Sequence, residues 1–180
     1  MNSAHAKQAR GGLSEPALEP EFGTEDLLFD LDSAILDDRG LQRHTVLVGH
    51  IGLILPADEV SELIEKVAVC GLPNTRAWFH GVTGVRGNMV PVFDLHALFS
   101  IEQTAVNRRL IVVGQNESAA AFWVDDFPRL LEFSDEDAVS AEPQIPPMLG
   151  EHVRRFYQKD GQVWVEWDFK SFFTALGDQL

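Results

Sequence analysis

Short apolar runs separated by turn residues constrain the fold of this 180-residue chain more than any other feature. From Thr45 onward each run is only a few residues long, which suits strands better than helices. Gly, Asn and Asp stand between the runs, and these residues adopt the backbone angles that tight turns need. Hairpin-like turns are predicted at 49–50, 86–88, 114–118 and 160–161. The pattern therefore predicts an all-β protein, built as a sandwich or barrel.

Four segments are compatible with helices. Residues 58–69 carry apolar side chains at the i, i+3, i+4, i+7 spacing of an amphipathic helix, so local pattern alone favours a helix there. A short helix over 148–157 is predicted after the prolines at 143, 146 and 147, and a closing helix over 168–176. Helical spacing also occurs over 26–36, which predicts either a short helix or a segment that orders only against a partner.

Acidic residues outnumber basic ones by 28 to 14, and the net charge is −14. This balance argues against binding to nucleic acid or to an anionic membrane surface, since both need clustered Lys and Arg. Nine of the acids lie within residues 1–40, together with paired glycines and two prolines. Such a segment buries too little apolar surface to offset its ordering entropy. We therefore expect an acidic, largely disordered N-terminal arm over 1–40 and one domain over 41–180.

The single cysteine, Cys70, has no partner for an internal disulfide, which fits a reducing cytoplasm. The chain also lacks a signal-peptide pattern or an apolar run long enough to span a membrane, so we expect a cytoplasmic protein. Cys70 stands in an apolar stretch and is interpreted as a packing residue.

Catalytic and cofactor motifs do not emerge from the sequence. The glycine-rich run 81–87 lacks the lysine of a phosphate-binding loop, and no nucleophile elbow is present. Asp94 and His96 could touch one metal ion, but no third ligand lies nearby in sequence, and a strand-end cap is the preferred interpretation. We expect no catalytic residue, cofactor or metal, and a binding module, with a small enzyme or ligand sensor using a cleft between lobes as the alternative. The larger aromatic residues are expected to be core or interface anchors: Trp78, Phe79, Phe122, Trp123, Trp164 and Trp167.

Residues 71–96, GLPNTRAWFHGVTGVRGNMVPVFDLH, resemble the signature of the CheW-like domain family. That pattern has a Leu-Pro-type approach, an aromatic residue, Gly-Val-x-x-[LV]-Arg-Gly and a run ending Pro-Val-x-Asp-Leu. The matching residues are Pro73, Gly81, Val82, Val85, Arg86, Gly87, Pro91, Val92, Asp94 and Leu95. The resemblance continues at 60–63, 110–113 and 123–127 and covers about residues 44–176.

The resemblance implies a fold of two five-stranded, SH3-like β-barrels around a shared core, with a turn followed by a strand over 58–69. It also implies a non-catalytic adaptor that couples the cytoplasmic tip of a methyl-accepting chemoreceptor to the regulatory domain of a CheA-type histidine kinase. Such a protein would be recruited to receptor arrays at the membrane. The acidic N-terminus and the run from Trp78 to Gly87 look more like adaptors of pathways for type IV pili and twitching motility. Flagellar chemotaxis is the alternative.

Site residues follow from the same resemblance. The receptor-binding groove would involve Val60, Glu62, Gly81, Arg86 and Ile111, with Ala120 and Phe127 on the opposite lobe. We expect Glu62 and Arg86 to lie within ion-pair distance, at most about 6 Å. The kinase would bind by β-edge pairing around Ile51, Leu53 and Ala57.

Overall fold

The computed structural model describes residues 41–103, 105–141 and 143–180. The strands are β1 Leu41–Val48, β2 Ile51–Ile54, β3 Ser61–Ile64, β4 Phe79–Val85, β5 Asn88–Phe93, β6 Arg109–Val113, β7 Ala120–Val124, β8 Arg129–Phe133, β9 Ala138–Val139, β10 Val153–Lys159 and β11 Gln162–Trp167. The helices are α1 Leu95–Phe99, α2 Pro147–Gly150 and α3 Phe169–Gly177. The predicted all-β class is confirmed. The expectations of a disordered arm and of a helix over 26–36 lie outside the described residues.

The strands form two sheets rather than one. A six-stranded sheet has the order β8-β1-β2-β11-β10-β9, and a five-stranded sheet has the order β3-β6-β7-β5-β4. Pairing is antiparallel except between β2 and β11 and between β5 and β7, which are parallel. The first sheet thus has one strand more than the resemblance implied, because the two-residue strand β9 pairs with β10.

The predicted hairpin turns are confirmed. Val48 pairs with Ile51, Val85 with Asn88 and Lys159 with Gln162, so three of the turns contain two residues each. The fourth turn, between β6 and β7, contains a short 3-10 helix over 116–118. These turns form where the sequence predicts them because their signals are local.

The helix suggested by spacing over 58–69 is wrong, and the family-based turn and strand are confirmed. Residues 61–64 form β3 and pair with β6, a bend follows at 65–66, and Cys70 forms a bridge with Val82 in β4. Ile64 and Val67 are three residues apart but pack on the same apolar cluster, because the bend between them interrupts the alternation of an extended chain. Pairing with a strand nearly fifty residues away overrides the local pattern.

The helix predicted over 148–157 is too long, whereas the closing helix is confirmed. Helix α2 ends at Gly150, and Val153–Lys159 forms β10 against β11. Helix α3 begins after Asp168, whose carboxylate accepts a hydrogen bond from the amide of Ser171 at 2.9 Å. Its apolar face is buried.

The main core lies between the two sheets and includes α3. Phe122 of the five-stranded sheet stacks on Phe173 of α3 at 5.7 Å between ring centroids, and Trp167 of the six-stranded sheet contacts the same helix. Burial of one such aromatic side chain stabilises the fold by roughly 2–3 kcal/mol. The aromatic residues 122 and 167 were expected to be anchors, and both are buried here.

Each sheet also has a small core of its own. Along β6, Leu110 and Val112 face the inner cluster of the five-stranded sheet, whereas Ile111 and Val113 face the main core. This alternation means that the five-stranded sheet is apolar on both faces. Partners can therefore reach it mainly at its strand edges, turns and ends. In the described part of the chain no helix is long and apolar enough to cross a membrane.

Candidate interaction site

Glu62 and Arg86 lie together, as predicted from the sequence. Arg86 Nη2 is 3.2 Å from Glu62 Oε2, well within the predicted distance. Glu62 belongs to β3 and Arg86 to the turn after β4, and these two strands are the edges of the five-stranded sheet. The pair thus links the two edge strands, and the place where β3 and β4 approach each other is called the seam here. The side chain of Arg86 is 62% exposed and that of Glu62 is 37% exposed, so both remain accessible to a partner.

The backbone at Arg86 is strained. Its φ is +49°, in the left-handed region, and Gly87 follows at +84°. Two consecutive positive φ angles between paired residues 85 and 88 make a type I′ hairpin turn, whose first position favours Asn, Asp or Gly. The other described residues with positive φ, glycine aside, are Asn74, Ser100, Asn116 and Asp160. A long cationic side chain at this position is therefore unfavourable for the turn itself, and strain of this kind concentrates at functional sites.

The other predicted groove residues divide into exposed and buried groups. Val60 and Phe127 are exposed, at 39% and 46%, and can contact a partner directly. Ile111 and Ala120 are buried in the main core, so a direct contact with a receptor is wrong for both. Ala120 also lies in β7 of the same sheet as Ile111, and not on an opposite lobe.

Gly81 has a structural explanation. Its φ is +131°, and a Cβ atom there would lie 2.1 Å from the carbonyl oxygen of Cys70. The absence of a side chain allows Cys70 and Val82 to exchange two backbone hydrogen bonds, at 2.8 and 3.0 Å. Gly81 is itself buried, so its role is to allow this backbone pairing rather than to contact a partner directly.

The predicted kinase-binding edge is wrong for two of its three residues. Ile51 and Leu53 lie in β2, which is paired on one side with β1 and on the other with β11. Their side chains belong to the main core and are at most 3% exposed. A strand paired on both sides offers no free edge for β-pairing. Ala57, in the turn after β2, is exposed.

Cys70 is exposed, so its interpretation as a packing residue is wrong. The apolar residues around it, Val67 and Val69, face the small core of the five-stranded sheet. In an extended chain, side chains at i+1 point to the opposite face. Cys70 is therefore turned towards solvent by the alternation itself.

A polar cluster that sequence reasoning did not assemble joins the two sheets. His96, at the start of α1, is buried, and its Nε2 lies 3.0 Å from Asp125 Oδ1. The other oxygen of Asp125 accepts a hydrogen bond from the amide of Gly49 in the β1–β2 turn, and the amide of Asp125 donates to Leu47 at 2.9 Å. This cluster therefore ties the end of β7 to the turn of the other sheet.

Asp94 completes the cluster and caps α1, as the preferred interpretation of the sequence held. Its Oδ1 accepts hydrogen bonds from the amides of His96 and Ala97, and its Oδ2 accepts one from Arg108 at 2.7 Å. Burial raises the pKa of Asp94, but the hydrogen bond from Arg108 and the cap outweigh it and hold that pKa below its ordinary value. Among the described residues, no group of three or more His, Cys, Asp and Glu side chains is placed to hold a metal.

Two aromatic side chains near the surface carry polar or cationic partners. Trp123 donates its indole N–H to His80 Nδ1 at 2.7 Å. The guanidinium of Arg109 lies 3.6 Å from the centroid of Phe127. His80 and Phe127 are exposed. The hydrogen bond orients the Trp123 and His80 rings, and the cation–π contact orients the Phe127 ring.

A cavity of about 620 Å³ bears on the enzyme or sensor alternative. It lies between the β1–β2 turn, the end of α1 and the proline-rich connection, and its polar lining includes His50, Ser100, Glu102 and Gln144. A nucleophilic serine would need a base within hydrogen-bond reach. Ser100 and His50 share no hydrogen bond in the described parts of the chain, so His50 is not placed to act as the base for Ser100.

Comparisons with known proteins agree with this architecture. The family model described as "CheW-like domain" matches residues 44–176. The chain is 28% identical to protein PilI of Pseudomonas aeruginosa over 62% of its length and 64% of that protein, and 30% identical to protein FrzA of Myxococcus xanthus over 63% and 72%. It is 24% identical to chemotaxis protein CheW of Helicobacter pylori over 51% and 56%. The chain thus spans less than two thirds of two of these curated relatives, 64% of protein PilI and 56% of chemotaxis protein CheW.

A solved structure shows the same fold. The scaffolding protein TtCheW of Thermoanaerobacter tengcongensis superposes with a TM-score of 0.61 at 19% identity, over 74% of this chain and 92% of that one. The signature residues around the Arg86 turn lie within the segment matched by the family model. From the sequence signature, the two-sheet fold and these matches together, it follows that the chain belongs to the CheW-like domain family.

Proposed function

We propose that the protein is a non-catalytic adaptor that couples the cytoplasmic tip of a methyl-accepting chemoreceptor to the regulatory domain of a CheA-type histidine kinase. The observation that carries this proposal is the half-exposed Glu62–Arg86 pair across the seam of the five-stranded sheet. The strain at Arg86 indicates that this cation has a role other than making the turn.

The seam suits a helical partner. The apolar side chain of Val60 lies two residues before Glu62, and Met89, 67% exposed, lies three residues after Arg86. Exposed apolar side chains supply contact area to an amphipathic helix, while a charged pair that can exchange partners fixes its register. A receptor tip is a helical coiled coil, and its acidic and basic side chains would compete for Glu62 and Arg86.

The kinase contact is proposed for a different place from the receptor contact. Among the described strands, β8 and β9 are the edges of the six-stranded sheet, and Ala57 is the one exposed residue of the three named for the kinase. Pairing of an edge strand with a β-rich regulatory domain remains the proposed mechanism. Binding on both surfaces would hold the protein in receptor arrays on the cytoplasmic side of the membrane.

Control of type IV pili and twitching motility is the proposed pathway. The similarity to protein PilI and the Trp78 to Gly87 run support it. Flagellar chemotaxis is the second candidate, supported by the similarity to chemotaxis protein CheW. Deletion of the gene tests the choice, because a loss of twitching with normal swimming is expected, and the reverse result would favour the flagellar pathway.

Binding measurements test the adaptor role. The receptor tip, produced as a coiled-coil fragment, and the kinase regulatory domain are each titrated against the full chain by calorimetry. We expect both to bind, with Arg86→Glu abolishing the receptor contact and preserving the kinase contact. Lys170→Glu reverses an exposed charge on α3 that has no ion pair in the described part of the chain, and it should change neither. Failure of both partners to bind, together with turnover of a small molecule in the cavity beside Ser100, would instead favour an enzyme.

A further inference from the structure

Residues around the start of β8 form a surface in which cations lie beside exposed apolar side chains. This surface, called the β8 surface here, consists of Arg109, Phe127 and Arg129, with Leu130 on the other face of the same edge strand. The guanidinium of Arg109 stacks on Phe127, and no carboxylate of the described residues lies within ion-pair distance of it. Arg129 pairs with Asp126 at 2.7 Å, and Leu130 is 53% exposed. The β8 surface therefore offers apolar area together with two guanidinium groups that share the carboxylate of Asp126.

The surface lies on an edge that is open for contact. Strand β8 is the first strand of the six-stranded sheet and pairs only with β1 among the described strands. Exposed edges with apolar side chains are normally covered or protected in native proteins. We propose that the N-terminal arm of the same chain covers the β8 surface through residues 25–38.

Charge and composition favour this occupant. Residues 25–38, EDLLFDLDSAILDD, contain six acids, no Lys or Arg, and six large apolar residues. The remainder of the chain from residue 41 is itself acidic, with 19 acids against 11 Lys and Arg, so its net charge repels this segment. The β8 surface combines the two properties that such a segment needs, a cation and exposed apolar area.

Connectivity places the arm next to its proposed binding surface. The arm joins the domain at Leu41, the first residue of β1 and the register partner of Phe133 in β8. Thr45, four residues along β1 and opposite Arg129, is roughly 14 Å from that junction. The five Cα–Cα steps from Leu36 to Leu41 span up to about 17 Å when extended. Residues 25–38 can therefore reach the β8 surface without any rearrangement of the domain.

Binding in cis would also regulate the receptor contact, a consequence that rests on the proposed function. Phe127 belongs both to the β8 surface and to the residues assigned to the receptor. An arm bound at Phe127 and along β8 would compete with the receptor tip, and also with a kinase that pairs with the β8 edge. Arm substitutions that release it should therefore strengthen receptor binding. The docking itself does not depend on this consequence and is tested separately.

Paramagnetic relaxation enhancement in the full chain tests the docking. A nitroxide is attached at Ser33→Cys in a Cys70→Ser background, since Cys70 is the only native thiol. We expect broadening of the backbone amides of residues 127–131, unchanged on dilution, and little effect on the amides of α3. The double substitution Arg109→Glu and Arg129→Glu should reduce the enhancement by about threefold or more, as expected for loss of exposed charge pairs. Lys170→Glu is the matched control and should leave it unchanged.

Further outcomes decide against the proposal. Uniform or absent broadening, or broadening that survives the double charge reversal, would overturn it. A mixture of spin-labelled and isotope-labelled chains that shows equal broadening would mean that a second copy is the occupant. Because charge reversal in the domain could affect folding, Asp30→Lys with Asp32→Lys serves as a second test. This pair leaves residues 41–180 unaltered and should reduce the enhancement as well.

Discussion

The strained turn at Arg86 allows the binding role of this residue to be separated from its structural role. Replacement by Asn suits the turn, because Asn tolerates a φ of +49° at much lower cost than Arg. Relief of left-handed strain is worth about 1 kcal/mol. Loss of the ion pair with Glu62, whose partners are 62% and 37% exposed, costs about 0.2–1 kcal/mol. The two effects nearly cancel, so Arg86→Asn should unfold in urea within about 1 kcal/mol of the native chain.

Binding of the receptor tip should respond differently. A charged residue at the centre of a contact typically contributes more than 1.4 kcal/mol, so we expect Arg86→Asn to weaken binding by about tenfold or more. Calorimetry with a coiled-coil receptor fragment measures this change. Arg86→Lys is the control for charge, since it keeps a cation and keeps the strain.

Either of two results would contradict a binding role for Arg86. If Arg86→Asn destabilised the domain by more than about 2 kcal/mol, the arginine would be a structural residue of the seam. If the variant bound the receptor fragment as tightly as the native chain, the strain at position 86 would have no functional explanation. Glu62→Gln provides an independent check, because it removes the same ion pair without altering the turn.

Three further predictions concern the domain itself. Gly81→Ala should lower the free energy of unfolding by roughly 2 kcal/mol, since a Cβ atom would clash with the carbonyl oxygen of Cys70, and a loss below about 0.5 kcal/mol in urea would contradict this. Because the folded-state pKa of Asp94 is lowered, its contribution is complete above its ordinary value of 3.8 and is lost as pH falls through the folded-state pKa. In Asp94→Asn, the free energy of unfolding should therefore fall less steeply as the pH is lowered from about 5 to 2. Equal slopes for the variant and the native chain would count against the Arg108 contact. Cys70 should react with a thiol reagent in the native state at a rate within about tenfold of a free thiol, and protection from modification would show that it is buried.

Local signals account for the features that the sequence predicted correctly. Turn residues at 49–50, 86–87 and 160–161 determine hairpins between adjacent strands. Asp168 caps α3 by accepting a hydrogen bond from the amide of Ser171, three residues ahead. The ion pair of Glu62 and Arg86 was expected only through the family resemblance. Its residues are 24 positions apart, and no local rule brings them together.

Several of the errors have a different origin, because they depend on contacts between distant segments. Residues 61–64 became a strand since β6 lies beside them, and Ile51 and Leu53 became core residues since β11 pairs with β2 across more than a hundred residues. The His96 cluster needs the end of β7 and the β1–β2 turn in the same place. Periodicity and capping rules cannot report such pairings.

The parallel pairing of β2 with β11 has a consequence for folding kinetics. The main core needs Phe172 and Phe173 of α3 as well as β11, which lies beside β2. These contacts join segments more than a hundred residues apart, and the chain between them must close into a large loop before they form. The domain should therefore fold more slowly than a helical domain of the same length.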